Sequence, residues 1–254
     1  MILPNPNDAV HKAWLYRILA RIYDTRALSS VLYFKGGTCA AMLGWLDRFS
    51  MDLDFDYVGK PRDIEETRAA LKRIFAELGL EIKDASKKAL QYFLRYPAIK
   101  NTRNTIKIDT TFPPLKSNDY AAQHLSEIDR IVTCQTKETM FANKLVALIE
   151  RYELREAIAS RDLYDIHYFF LQGFRYRAEV IAERRKSKEV SRFFQTLIDF
   201  TDKHITQKII DQDLNVLLQP EQFRRIRTHL KRETLMFLRD ELARIKKANL
   251  GESH

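Results

Sequence analysis

The chain is 254 residues long and 45% hydrophobic, with 43 Lys and Arg against 34 Asp and Glu and a formal charge of +9. Such a length builds one or two cores, and the basic balance suits a polyanionic partner. Two cysteines, Cys39 and Cys134, have neither metal-ligand spacing nor the density of a secreted disulfide scaffold. Charge interrupts every apolar run, which excludes a signal core or membrane span and sets the expectation of a cytoplasmic protein.

Residues 8–23 carry Trp14, Leu15, Ile18, Leu19 and Ile22 at helical spacing, which predicts an opening helix packed on a core rather than a base-stacking surface. The run Val31-Leu32-Tyr33-Phe34 reads as a buried strand, stopped at Gly36-Gly37 where glycine frees the backbone to turn. Residues 38–45 read as a short helix whose first N–H groups favour a phosphate, with the Thr38 hydroxyl as an added contact. By itself a glycine pair after a strand is more often a plain turn.

In the next strand Asp52 and Asp54 are two residues apart and so share a face, while Leu53 and Phe55 turn into a core. Two carboxylates on one face repel each other unless a cation lies between them, and Mg²⁺ is an oxygen-seeking ion that also bridges to nucleotide phosphates. Asp56 continues the alternation; a solvated strand end is the reading favoured over a further ligand. This strand stops at Gly59-Lys60-Pro61, and Ile64, Leu71, Ile74, Phe75 and Leu78 mark a helix ended by Gly79.

Strands are predicted at residues 80–82, 91–96 and 105–112, the last with Lys107 and Asp109 on one face and Ile106 and Ile108 on the other. A third acid on a neighbouring strand can ligate a second metal ion or draw the proton from an attacking hydroxyl. The plain alternative is an edge-strand Asp facing water. Pro113-Pro114 breaks the chain rigidly, and a loop through Asn118 and Asp119 leads by a short strand at 131–133 to a helix.

From Lys137 onward the pattern is almost wholly helical. Lys144 lies among Phe141, Leu145 and Leu148, so its ammonium emerges at the edge of an apolar face to meet phosphate or a carboxylate, or simply snorkels to water. Asp162 and Asp165 are one helical turn apart with Ser160 as a candidate cap, and ordinary acids complementing a helix start are the competing reading. A last helix over residues 220–247 carries Arg224, Arg225, Arg227, Lys231, Arg232, Arg239, Arg244, Lys246 and Lys247. Together with Arg184-Arg185-Lys186-Ser187-Lys188 these form either a solvated face or an RNA-facing surface.

Taken in order, Lys35-Gly36-Gly37-Thr38, the Arg48-x-Ser50-x-Asp52-x-Asp54-Phe55 run and Lys107-x-Asp109 resemble the AbiEii/AbiGii nucleotidyltransferase toxins, relatives of the MenT-type toxins. Lys144-Leu145-Val146-Ala147-Leu148 resembles that family's KxxAL helix, and Arg161-Asp162-Leu163-Tyr164-Asp165-Ile166 its RDxxDI motif. The match spans residues 31 to 170, and the last third of the chain carries no matching motif.

The resemblance implies an α+β fold: a polymerase-β-like minimal nucleotidyltransferase sheet over residues 1–135, with a packed C-terminal helical region, 136–254, that completes the cleft. It implies Mg²⁺ on Asp52, Asp54 and Asp109, and catalytic roles for these acids with Lys144, Asp162 and Asp165. It implies an NTP held by Lys35, Gly36, Gly37, Thr38, Arg48, Ser50 and Lys107. The nucleotidyl group would pass to an acceptor hydroxyl, with the 3′ end of tRNA as the leading acceptor, and a cognate antitoxin would restrain the toxin by binding it or by modifying Ser50. Two other classes stay open at this point. A small-molecule (antibiotic) or protein nucleotidyltransferase would share the metal site; the antibiotic-modifying kind needs an acidic acceptor pocket, which the +9 charge disfavours. A non-enzymatic nucleic-acid-binding protein explains the charge but not the acids beside a glycine turn.

Overall fold

The structure, a computed structural model, describes residues 1–97 and 103–251. Its internal contacts divide it into two units, residues 1–114 with 118–136, and residues 115–117 with 137 onward.

The first unit is built on a seven-stranded mixed sheet of β1 (Leu32–Lys35), β2 (Leu53–Tyr57), β3 (Glu81–Ala85), β4 (Tyr92–Arg95), β5 (Thr105–Thr111), β6 (Tyr120–Leu125) and β7 (Arg130–Gln135). The spatial order is β3-β4-β5-β2-β1-β7-β6, so β2, the strand bearing Asp54, is central. β2 runs antiparallel to β1 and parallel to β5, β1 runs parallel to β7, and antiparallel pairs close both edges.

One face of this sheet is apolar. Phe34 stands opposite Phe55 and Leu53 opposite Ile108, and all four are fully buried. Helices α1 (Ala9–Asp24) and α4 (Ile64–Glu77) have the expected amphipathic stripes, with Leu15, Ile18, Leu19 and Ile22 buried on α1 and Leu71, Ile74 and Phe75 on α4. The Phe75 ring meets the Tyr92 ring of β4 edge-on at 5.1 Å. Each such fully buried side chain is worth roughly 1.5–3 kcal/mol of transfer free energy, enough for this face to dictate strand register. A four-residue helix, α2 (Arg26–Ser29), precedes β1. The seven-residue helix α3 (Gly36–Met42) follows it directly, so the glycines occupy the helix's first turn rather than a separate loop. β6 has no counterpart in the sequence reading, because Tyr120-Ala121-Ala122-Gln123-His124-Leu125 lacks apolar alternation; it is a strand through its pairing with β7.

The second unit is helical: α5 (Lys137–Arg155), α6 (Ser160–Leu171), α7 (Ala178–Arg185), α8 (Val190–His204), α9 (Gln207–Leu214), α10 (Pro220–Ile226) and α11 (Leu230–Gly251). α5 packs on α6 and α7, and α11 on α8 and α6. At the heart of the unit the Phe141 ring meets Phe169 and Phe170 edge-on at 5.3 and 4.8 Å.

Two details correct the sequence reading. Ser160 does not cap α6; it is the first residue of the helix, and Asp213 of α9 accepts its N–H at 2.7 Å and its hydroxyl at 3.1 Å. The expected final helix is broken at 227–229, where the Arg227 carbonyl accepts from Gln207 Nε2 at 3.0 Å and its guanidinium pairs with Asp211. Among the described residues, no helix is long and apolar enough to cross a membrane.

Candidate active site

Strand register assembles a polar row on the sheet face opposite the aromatic core. Lys35 of β1 is paired with Asp54 of β2, and Asp54 with Asp109 of β5. Side chains at paired positions lie on the same face, so Lys35, Asp54 and Asp109 stand in one row across three strands. Gln91, just before β4, extends the row by donating to Asp109 Oδ1 at 3.1 Å, and Lys107 pairs with Asp109 Oδ2 from the same strand. Asp52 is one residue outside β2 and half-buried, as is Asp54.

Asp56, expected at a solvated strand end, is instead only 1% exposed. Its Oδ1 accepts from Lys35 Nζ at 2.6 Å, and Lys35 also donates to Thr111 Oγ1 at 2.7 Å. Its Oδ2 accepts from Asn118 Nδ2 at 3.1 Å, the Tyr120 hydroxyl at 2.8 Å and Gln135 Nε2 at 2.6 Å. Burial and then the charge of Asp56 push the Tyr120 phenol well up, so it remains a donor. Asn118, Tyr120 and Gln135 lie more than sixty residues beyond Asp56 in sequence, and nothing local announces them.

The glycine segment and the Arg48–Asp52 segment form one packed unit. Gly36 has φ of +80°, and a Cβ there would lie 2.6 Å from Asp54 Oδ2. A Cβ on Gly37 would lie 2.5 Å from Arg48 Nη2 and 3.2 Å from Ser50 Oγ. Only glycine lets the backbone come this close to the acid and the arginine. Thr38, expected to meet phosphate, is fully buried. Its hydroxyl bonds the Asp52 carbonyl and lies 2.8 Å from Ser50 Oγ. A carbonyl can only accept, so the Thr38 proton goes to Asp52 and Ser50 donates to Thr38. Arg48 is likewise buried, with Nη1 donating to the Phe49 carbonyl at 2.9 Å. Both residues position the segment rather than line its surface; Ser50 stays partly exposed. From α1, His11 Nε2 lies 2.9 Å from the Met51 carbonyl and bonds to it, a brace with no sequence signal.

In the helical unit Lys144 Nζ stands between Asp162 Oδ1 at 2.8 Å and Asp165 Oδ2 at 2.9 Å, and Arg151 reaches Asp162 Oδ2 at 3.2 Å. Both acids are buried. Burial alone would push the Asp162 carboxyl up, but the charges of Lys144 and Arg151 outweigh it and hold it well below the usual carboxylate range. The structure therefore shows the two acids orienting Lys144, not presenting themselves to a ligand.

Residues 17–244 match the family described as nucleotidyl transferase AbiEii toxin, type IV toxin–antitoxin system. The chain belongs to that family. It is thus a nucleotidyltransferase toxin of a type IV toxin–antitoxin system, a class that uses an NTP and has a cognate antitoxin. No curated protein gives a significant match. Among solved structures it is similar to JHP933 from Helicobacter pylori, with a TM-score of 0.60 and 18% identity over 100% of both chains. A putative nucleotidyltransferase from H. pylori gives 0.59 and 18% identity, covering 95% of this chain and 98% of that one. MenT4, a nucleotidyltransferase toxin from Mycobacterium tuberculosis, gives 0.53 and 18% identity, covering 94% and 87%.

Within this AbiEii-family chain the motif residues fall into two sets. Asp52, Asp54, Asp109, Lys35, Lys107 and Ser50 retain exposed surface around the polar row, whereas Thr38, Arg48, Asp162 and Asp165 are closed off: Thr38 and Arg48 brace the segment that bears Ser50 and Asp52, and Asp162 and Asp165 orient Lys144 within the helical unit.

Asp56→Ala leaves several donors without their acceptor and is expected to cost roughly 3–5 kcal/mol in urea unfolding, the range for breaking a buried ion pair; a loss under about 1 kcal/mol would contradict the network. For Asp162 the folded carboxyl is the stronger acid, so its contribution is present above the ordinary value of 3.8 and is lost as pH falls below it. Lys144→Met leaves Asp162 with Arg151, so burial is offset less and protonation of that carboxyl on acidification relieves part of the cost of the substitution. Melting curves from pH 7 to pH 3.5 should show the deficit of the variant narrowing on acidification, and a constant deficit would refute the ion-pair account.

Proposed function

We propose that this toxin transfers a nucleotidyl group from an NTP to an acceptor hydroxyl, with the 3′ end of tRNA as the acceptor and Mg²⁺ as the cofactor. The observation that carries the reading is the placement of Asp54 in register with Asp109 and directly against Gly36. A carboxylate pair beside a backbone stripped of side chains is suited to a ligand that is both anionic and metal-bound.

Among the described residues, no three His, Cys, Asp or Glu side chains are grouped to hold a metal ion by themselves. Mg²⁺ does not require this, since it takes one or two protein carboxylates and completes its shell with water and substrate phosphate oxygens. Asp52 and Asp54 fit that demand. Once bound, the ion supplies charge stabilisation at the phosphoryl oxygens. Asp109 already has an oxygen engaged by each of Gln91 and Lys107. It is better suited to receive the proton of the acceptor hydroxyl than to hold a second ion. Lys35 and Lys107 offer ammonium groups to the triphosphate from either side of the row, and Ser50 lies beside Gly37 where the nucleotide must approach.

The test is incubation with each labelled NTP, Mg²⁺ and total RNA. Label should appear on tRNA and fall by at least about a hundredfold in Asp54→Asn, the scale for removing one preorganised electrostatic group; label on a small molecule alone, or none, would reject the reading. Ser50 also offers a point of control, because added negative charge there opposes a triphosphate. Ser50→Glu should lose transfer while melting like the unmodified chain, and full activity in that variant would remove modification at Ser50 as a switch.

A further inference from the structure

The basic surface foreseen on the last helix is not uniform. Arg227 is paired with Asp211, Arg244 with Glu241, Arg184 with Glu150 and Arg185 with Glu153. These cations are largely answered within the helical unit. Between the end of α8, the start of α9 and the first half of α11 lies a cavity of about 570 Å³ lined by Lys203, Lys231, Arg232 and Arg239 and by one acid, Asp202, which holds Lys231: the Lys231 ammonium donates to the Asp202 carbonyl at 2.7 Å and lies 3.9 Å from its carboxylate.

The chemistry of the lining selects the kind of occupant. Ile205, Ile210 and Leu235 form the floor, but they are at most 6% exposed and offer almost no apolar surface to a docking side chain. The rest of the lining is Lys203, Arg232 and Arg239, exposed residues whose charged ends stand on aliphatic stems, with Thr206, Gln207 and Thr228 between them. The floor gives the apolar face of an amphipathic peptide little to bury against, whereas a phosphate backbone needs only charge and donors at spaced positions.

We infer that this groove binds the phosphate backbone of an RNA, and that it does so independently of the carboxylate row. The inference extends the acceptor reading above and rests on it for the choice of RNA over DNA.

The test uses the full chain and a fluorescein-labelled RNA hairpin, with a DNA hairpin of the same sequence and polyglutamate as competitors. Lys203→Ala/Arg232→Ala/Arg239→Ala should raise the RNA Kd at least about tenfold and lower the slope of log Kd against log salt by about 2 to 3, one increment per lost phosphate contact. The matched triple Lys72→Ala/Arg73→Ala/Lys83→Ala, which removes the same charge from exposed positions in the sheet unit, should bind like the parent. Equal weakening by both triples, wild-type binding by the groove triple, tighter binding of the DNA hairpin, or displacement by polyglutamate at equal charge would each overturn the inference. Single replacements of Arg232 and Arg239, checked by thermal melting, carry the same test if the groove triple unfolds. Asp54→Asn should keep full RNA affinity, so failure of the transfer chemistry and failure of the groove give different results.

Discussion

The aromatic and aliphatic packing on one face of the sheet governs the charge arrangement on the other. Phe34 against Phe55 and Leu53 against Ile108 fix how β1, β2 and β5 align. Because side chains alternate with a period of two, a slip of one residue in either pairing would expose these groups and turn Asp54 or its partners into the core. The register demanded by burial is therefore also the register that lines up Lys35, Asp54 and Asp109. Hydrophobic free energy that has no part in chemistry holds like charges side by side.

Asp54 and Asp56, two residues apart on the same face of the central strand, have opposite fates. Asp56 is enclosed, and its oxygens are answered by Lys35 and by side chains of the β6–β7 hairpin and the loop before it. A buried carboxylate without such partners would be prohibitively costly, so the network ties the edge of the sheet to its centre. Asp54 faces a glycine backbone and keeps exposed surface. The difference lies in what each neighbouring strand presents, not in the residue type. The Lys144 cluster follows the Asp56 pattern: motif acids sit in the interior and hold a basic side chain in one orientation.

Two stretches that read as separate motifs, Lys35-Gly36-Gly37-Thr38 and Arg48-x-Ser50-x-Asp52, form one object in three dimensions. Gly37 packs against Arg48, Thr38 bonds to the Asp52 carbonyl, and Ser50 bonds to Thr38. In this chain the two segments are therefore joined by steric fit and hydrogen bonding, and changing one disturbs the carboxylate that the other positions.

Much of this was legible in the chain itself. Period-two alternation placed Asp54, Lys107 and Asp109 on solvent-facing sides of strands, helical spacing identified α1, α4 and α5, and the ordered motifs named the family. Local pattern could not show that β6 exists, since its residues become a strand only by pairing with β7. Nor could it show that Thr206, Gln207 and Arg239 line one groove, or that Asp213 caps a helix beginning fifty-three residues earlier. Sequence by itself determined which residue types alternate, and hence the elements and the family, because those depend on neighbours along the chain. Only the tertiary structure decided which charged groups are enclosed and which remain open to a ligand, because desolvation and pairing depend on neighbours across space.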